Sequence, residues 1–454
     1  MLNCGDLIKA TGGRLISGPV RIRVNGFSID SRTIRPGQVF IAIRGKNFDG
    51  HDFIAAAIKK GASCIIREGR CPGKTAVPNA AAVIEVKDTL RALGDIANFM
   101  RRKFNLPVVA VTGSNGKTTC KEMIAWVLSQ RFKVLKNEGT KNNQVGLPLT
   151  LLGLTPDHDI AVLELGTNHF GEIDYLGRIC EPTVGIITNI GYSHLGFLGS
   201  REGVFKEKYS LIKDLKKPAL TILNADDEFL GSRLFRKGQS RPALGIGIKN
   251  RSDFFASHIS YRSRGLEFIL NQKYRFKLKT LGYNNIYNAL AAIAVACIFG
   301  MGFEDMASRL AGFEFPQGRL KVKRLNGILF IDDTYNSNPS SLRQGLDVLG
   351  NFRTGGRKIL VMGDMLELGK SEELFHIQAG KEAAVVCDVL VTVGKLSRLA
   401  ARAAGESGLD IKNMFSCRCA REAGKILRNK LSLKNDDVVL VKGSRGMKME
   451  EVFA

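Results

Sequence analysis

The chain has 454 residues, 44% of them hydrophobic and 24% charged, with a formal net charge of +24. At about 150 residues per domain, this length predicts three domains, each able to bury a core of ordinary size. The balance excludes a disordered chain; the excess of Lys and Arg favours anionic partners, but it forms no basic arm and no nucleic-acid motif, so a nucleic-acid partner is not expected.

Met1-Leu2-Asn3-Cys4-Gly5-Asp6 lacks the basic and apolar regions of a signal peptide, and a cytoplasmic location is expected. Nine cysteines are scattered at positions 4, 64, 71, 120, 180, 297, 387, 417 and 419 without a C-x-x-C, and read as reduced thiols. Residues 1–105 form a first α/β unit, with strands at 39–43, 64–66 and 82–86 and helices at 52–60 and 89–103. Asp52 is the expected N-cap of the first helix, with Gly61 after its end. Asn105-Leu106-Pro107 breaks the pattern. From 106 to 315, strands at 108–111, 160–163, 183–187 and 219–222 alternate with helices at 117–130, 172–179 and 201–213, which predicts a parallel, doubly wound sheet. An antiparallel insert, 266–270 and 274–278 around Asn271-Gln272, precedes an Ala-rich helix over 286–299. Its apolar run, 289–299, is shorter than the about 20 residues a bilayer span needs, so stable membrane insertion is not expected. After a second boundary at Phe315-Pro316-Gln317-Gly318-Arg319, residues 316–454 place strands at 328–331, 358–361, 389–393 and 438–441 between helices, a second, Rossmann-like open sheet.

The stretch with the most chemistry is Val108-Val109-Ala110-Val111-Thr112-Gly113-Ser114-Asn115-Gly116-Lys117-Thr118-Thr119. A β-branched run enters a Gly-rich turn and leaves as a helix. Such a turn lets backbone N–H groups surround a phosphate, with Lys117 reaching the terminal phosphates and the Thr118 hydroxyl suited to Mg²⁺. The usual first glycine of a phosphate loop is Val111 here. Glu164 ends the strand 160–163 and Asn189 to Leu195, with His194, follows 183–187, so both lie at the carboxyl edge of the sheet, where ligands bind. Ile331-Asp332-Asp333-Thr334-Tyr335-Asn336-Ser337-Asn338-Pro339 crowds two carboxylates, a Tyr and two Asn into one loop. Val441-Lys442-Gly443-Ser444-Arg445-Gly446 ends the last strand with two cations and suits an anion, with Arg445 as a carboxylate partner.

In order, these motifs resemble the ATP-dependent Mur ligases of peptidoglycan synthesis over essentially the whole chain. Thr112 to Thr118 is similar to that family's shortened phosphate loop. The resemblance implies Gly113, Ser114, Asn115, Gly116, Lys117, Thr118 and Thr119 at the nucleotide, and Mg²⁺ held by Thr118, Glu164, His194 and Lys208. Lys208, with Lys206 two positions earlier, matches a lysine carried as a carbamate; Lys117, Lys208 and His194 are then the catalytic set. Gly282-Tyr283-Asn284-Asn285-Ile286-Tyr287-Asn288 resembles the adenine-side segment, with Asn285 and Asn288 matching and Asn284 standing where a His is usual. Arg319 and Asp333 match residues that approach the nucleotide and its ribose. Ser31, Arg32, Asp49 and His51 resemble the first-domain pattern that holds a uridine diphosphate, and Asn142 and Asn143 a segment bordering the muramoyl substrate. Within the family, Asp332 to Pro339 and Gly363-Asp364-Met365-Leu366-Glu367-Leu368-Gly369 resemble the member that joins D-alanyl-D-alanine to UDP-N-acetylmuramoyl-tripeptide, which implies substrate roles for Tyr335, Asn336, Asn338 and Arg445. The implied architecture is a UDP-muramoyl-binding domain (1–105), a central ATP-binding domain (106–315) and a C-terminal domain for the incoming dipeptide (316–454), in a monomer. The competing readings are a P-loop hydrolase or motor, which would turn over ATP without a peptide substrate; another ligase of the same build, such as a folylpolyglutamate synthase, against which the Ser31-Arg32 and Asp49-Gly50-His51 strings speak; and a nucleic-acid-binding ATPase, favoured only by the charge, which would show salt-sensitive binding to DNA.

Overall fold

The computed structural model describes residues 2–69, 81–234, 242–262, 265–325 and 327–454. Cys71 lies outside them; the eight described cysteines are free thiols.

The first sheet has five strands in the order Arg14–Ser17, Ala82–Val86, Cys64–Glu68, Val39–Ile41, Phe27–Ser28, parallel except for the first pair. The predicted helix over 52–60 is two elements: a 3₁₀ turn, Gly50–Phe53, and the helix Ile54–Lys59. Asp49, not Asp52, caps the turn, because its carboxylate accepts the His51 N–H at 2.9 Å in an Asx arrangement.

The central sheet has nine strands. Val108–Thr112 lies between Ile160–Glu164 and Val184–Ile187, all parallel, and Leu220–Asn224 continues beyond. The antiparallel hairpin Gly265–Leu270 and Tyr274–Leu278 extends this same sheet through Ala243–Gly247 and Phe254–Arg262, two strands the sequence pattern does not reveal. Asn271 and Gln272 both take positive φ (48° and 59°), as a tight antiparallel turn demands. The predicted helix 201–213 stops at Tyr209 and tightens into a 3₁₀ segment, Ser210–Asp214. Helix Asn285–Ile298 is apolar on nearly every face and is buried from Asn285 to Ala296 save Tyr287. It lies against the phosphate-loop helix Lys117–Leu128, and the two share one core. Among the described residues no helix is long and apolar enough to cross a membrane.

The third sheet has six strands in the order Lys321–Leu325, Ile328–Asp333, Val438–Lys442, Lys358–Gly363, Val389–Val393, Met414–Cys417, with only the first antiparallel. A parallel sheet covered on both faces is the expected outcome of strands as apolar as Val-Val-Leu-Val.

Arg101 fastens the first domain to the central one. Its guanidinium is buried and donates to the carbonyls of Cys180 (2.9 Å), Phe104 (2.9 Å) and Glu181 (3.4 Å), closing the C-terminal end of helix Glu172–Cys180. Arg101→Ala leaves buried carbonyls unpaired and is expected to cost about 2–3 kcal/mol of stability in urea unfolding, because hydrogen bonds to a charged group are at stake.

Candidate active site

The carboxyl ends of the parallel strands of the central sheet and of the third sheet face one another across a cavity of about 1380 Å³. The strand Val108–Thr112 delivers the phosphate loop to its floor. Ser114 N–H donates to Asn189 O (2.9 Å) and Asn115 N–H to Asn189 Oδ1 (3.0 Å), while Thr188 Oγ1 donates to Asn115 O (2.6 Å). Among the described residues the N–H groups of Gly116, Lys117, Thr118 and Thr119 make no hydrogen bond, so the donors left available to an anion are these four at the helix start, not the earlier ones. Two glycines are required by space as well as by φ. A Cβ on Gly113 would lie 1.9 Å from Thr188 Oγ1, and one on Gly116 2.7 Å from Asn288 Oδ1.

Lys117 Nζ donates to the carbonyls of Gly113 (2.9 Å) and Ser114 (3.3 Å). Burial, and then the charge of Arg319, hold its pKa below the usual lysine value. Glu164 is buried at the edge between two donors: Thr118 Oγ1 at 2.7 Å and Asn142 Nδ2 at 2.8 Å. Asn137, which the sequence reasoning passed over, holds the Glu164 backbone from both sides, accepting its N–H and donating to its C=O at 2.9 Å each. Arg319 crosses from the third domain, donates to Thr118 Oγ1 (2.9 Å) and stacks on Tyr335, 3.9 Å from ring centroid to guanidinium. Asn338 Nδ2 likewise reaches Asn115 Oδ1 at 2.8 Å. Asn285, Asn288, Asp333, Asn336 and Asn143 also line the cavity.

Lys208 is buried, whereas Lys206 is exposed. Burial first, and then the charge of Lys117, push the Lys208 pKa well below the ordinary lysine value, so its amine is held toward the neutral form. His194 lines the cavity, and burial lowers its pKa as well. Among the described residues no three His, Cys, Asp or Glu side chains converge on one point. That set still suits Mg²⁺, which binds through one or two carboxylates, waters and substrate phosphates.

The first-domain expectations fare differently. Arg32 is exposed and folds back on Asp30 (Nη2 to Oδ2, 2.7 Å), which drops the Asp30 pKa to about 2. His51 spends both ring nitrogens inside its own domain: Nδ1–H donates to Asp49 (2.6 Å) and Nε2 accepts from Glu68 N–H (3.0 Å). Ser31, Arg32, Asp49 and His51 do not line the cavity; the loop Arg44-Gly45-Lys46 does. Arg445 also misses it and pairs with Glu450 at 3.0 Å. Lys442 comes in instead, buried, donating to Asp333 Oδ2 and to Asn336 O (3.0 Å). A lysine ending an apolar parallel strand carries the same edge signal as Glu164 and could have been found that way. The cavity wall carries six Lys or Arg (Arg44, Lys46, Lys117, Lys249, Arg319, Lys442) against six carboxylates, so the +24 excess is spread elsewhere.

A phosphate loop facing a second nucleotide-type sheet across a shared cavity defines an enzyme of the nucleoside-triphosphate-dependent class, built from three α/β domains. Family models match three stretches: the Mur ligase family catalytic domain at 23–101, the Mur ligase middle domain at 111–296, and the Mur ligase glutamate ligase domain at 318–445. The chain is 36% identical to the UDP-N-acetylmuramoyl-tripeptide–D-alanyl-D-alanine ligase of Bacillus subtilis, over 99% of this chain and 96% of that one. It is also 36% identical to the enzyme of that name from Escherichia coli, over 95% and 93%. Among solved structures, a MurF from Acinetobacter baumannii superposes with a TM-score of 0.90 at 33% identity, covering 99% of this chain and 97% of that one. MurF ligase from Thermotoga maritima, in complex with ADP, gives 0.84 at 30%, covering 95% and 96%. The chain belongs to the Mur ligase family.

His376 supports the loop 363–369 that meets this site. It is buried, donates Nδ1–H to Glu372 O (2.6 Å) and accepts the Met365 N–H on Nε2 (3.0 Å), which demands the neutral ring. Burial lowers its pKa, against the opposing pull of Glu372 and Asp364. A lowered histidine pKa gives stability that is present above the unfolded value, about 6.5, and is lost as pH falls below it. Urea unfolding of the parent is expected to weaken from about pH 7.5 to about pH 5.5 by more than that of His376→Gln, which keeps a donor and an acceptor but does not titrate there.

Proposed function

We propose that the protein joins D-alanyl-D-alanine to UDP-N-acetylmuramoyl-tripeptide at the expense of ATP, through an acyl phosphate. The observation that carries this reading is the phosphate loop at the floor of a cavity that all three domains line, in a chain similar end to end to ligases of that name. A carboxylate oxygen of the tripeptide attacks the γ-phosphorus of ATP, and ADP leaves. The dipeptide amine then attacks the acyl carbon, loses its proton, and phosphate leaves with its electron pair, forming the amide.

Each step asks something of the residues described. The first brings one anion against another, and Lys117, the four free N–H groups and Arg319 supply the positive field. Thr118, Glu164, His194 and Lys208 are the groups that would hold Mg²⁺, which, when bound, neutralises and aligns the phosphate oxygens. Asn285 and Asn288, which line the cavity, would meet the adenine side of the nucleotide, and Asp333, fixed by Lys442, would accept from a ribose hydroxyl. Third-domain residues over the loop exclude water from the acyl phosphate, which would otherwise hydrolyse.

Phosphate release should require ATP, the UDP-linked tripeptide and the dipeptide together, and Lys117→Ala should lower it by about 10²–10³-fold. ATP turnover that ignores both other substrates would refute the ligase reading.

Burial lowers the Lys208 pKa, which favours the neutral amine, the form that adds to CO₂, its lone pair forming the N–C bond with release of one proton. This would place a second carboxylate beside Glu164. With ¹³C-bicarbonate, a carbamate carbon resonance is expected in the parent and absent in Lys208→Ala, whose ligation activity should be lost while its unfolding midpoint is kept.

A further inference from the structure

The loop Gly363-Asp364-Met365-Leu366-Glu367-Leu368-Gly369 is the third domain's contact with the segment that carries His194. It is rigid on its own side. Asp364 accepts the N–H groups of Ser397 (2.7 Å) and Lys395 (3.1 Å), His376 takes Met365 N–H, and Ser444 Oγ takes Leu366 N–H at 2.8 Å. The tip is therefore fixed from within the domain, and it ends in Glu367 at φ +67°. Across the boundary, His194 also sits at positive φ, +54°. A left-handed backbone costs a residue with a Cβ about 1–2 kcal/mol, and two such residues in contact point to a constraint beyond chain direction.

At the contact, Gly196 N–H donates to Glu367 O at 3.1 Å, and a Cβ on Gly369 would lie 2.9 Å from Gly196 Cα, so the backbones abut. Tyr192 and Phe375 pack beside it with ring centroids 5.0 Å apart. The carboxylate does something separate. Glu367 Oε2 lies 2.9 Å from His194 Nδ1, off line for a full hydrogen bond, so the carboxylate oxygen sits against the Nδ1 edge of a ring that burial holds toward its neutral form. Docking alone needs only the Glu367 carbonyl, which any residue supplies. A carboxylate against Nδ1 instead turns Nε2, with its lone pair, toward a cation on the far side of the ring.

We propose that Glu367 is a positioning residue: carried by the third domain, it sets the His194 imidazole toward the metal–phosphate site when the two domains are docked. The inference rests on the reading of that site given above, and it makes domain docking and metal-site assembly one event.

The test is Mn²⁺ titration by electron paramagnetic resonance, with a non-hydrolysable ATP analogue and the UDP-linked tripeptide present, for the parent, Glu367→Ala and Glu367→Gln. Loss of a partner behind a metal-binding histidine typically costs 10–100-fold, so Glu367→Ala should bind Mn²⁺ about 10–100-fold more weakly and lose kcat with KM for the dipeptide little changed. Glu367→Gln, whose amide oxygen can occupy the same place against Nδ1, should stay close to the parent, and both variants should keep the parent's melting temperature. Parent-like Mn²⁺ binding in Glu367→Ala overturns the proposal. Equal weakening in both variants also overturns it, because the oxygen against Nδ1 survives the change to an amide. If the parent itself binds no Mn²⁺ with the analogue, the reading of the metal–phosphate site falls first and this inference with it.

Discussion

The arrangement depends on one short chain of hydrogen bonds, Arg319 to Thr118 to Glu164. A parallel sheet delivers its loops to one edge, and two neighbouring strands here end in the groups that must meet: Thr112 leads into the loop carrying Thr118, and Glu164 ends the next strand, in register with Val111. A buried carboxylate is costly unless its oxygens are satisfied. Thr118 and Asn142 satisfy them, and Asn137 fixes the backbone beneath. The third domain adds its own cation to the same hydroxyl, so the position of one threonine records both the fold of the central sheet and the placement of its neighbour.

That economy extends to the other crossings. Asn338 caps the helix Pro339–Asn351 through its carbonyl oxygen and spends its amide on Asn115 in the phosphate loop. Asp333 ends a third-domain strand, and Lys442 ends the strand beside it, so the two neutralise each other at the cavity wall. Arg319 and Asn338 therefore both land on the phosphate loop, while Glu367 lands on the His194 segment. None of these residues is free to drift, because each has a second bond inside its own domain or lies in a strand.

What the sequence revealed follows from how local each signal is. The strand–turn–helix around Gly113 to Thr119 is written in consecutive residues, and so is the hairpin at Asn271-Gln272. The carboxyl-edge argument located Glu164 and the Asn189 to His194 segment because it needs only strand order. It failed where two neighbours compete by burial. Lys442 and Arg445 share one motif, but the strand holds Lys442 inside while the turn after Gly443 throws Arg445 out to Glu450. Asp49 and Asp52 compete in the same way for a cap, and His51 looks free in sequence but is consumed by Asp49 and the distant Glu68 N–H. The strands Val134–Lys136 and Lys321–Leu325 lie at sheet edges, where one unpaired side relaxes the apolar pattern that marks the inner strands.

The interdomain contacts also set how firmly the third domain is held. Arg319 to Thr118, Asn338 to Asn115 and Glu367 to Gly196 are hydrogen bonds whose net worth is about 0.5–1.5 kcal/mol each, somewhat more where the donor is charged. Their sum, a few kcal/mol, is set against the freedom the domain loses on docking, so the balance lies within reach of what a bound substrate contributes; about 1.4 kcal/mol shifts such an equilibrium tenfold. Apolar packing joins them, Tyr192 against Phe375 and Leu281 against the third-domain core. The polar contacts end on the phosphate loop or the His194 segment, so what occupies those groups acts on the same residues that hold the third domain in place.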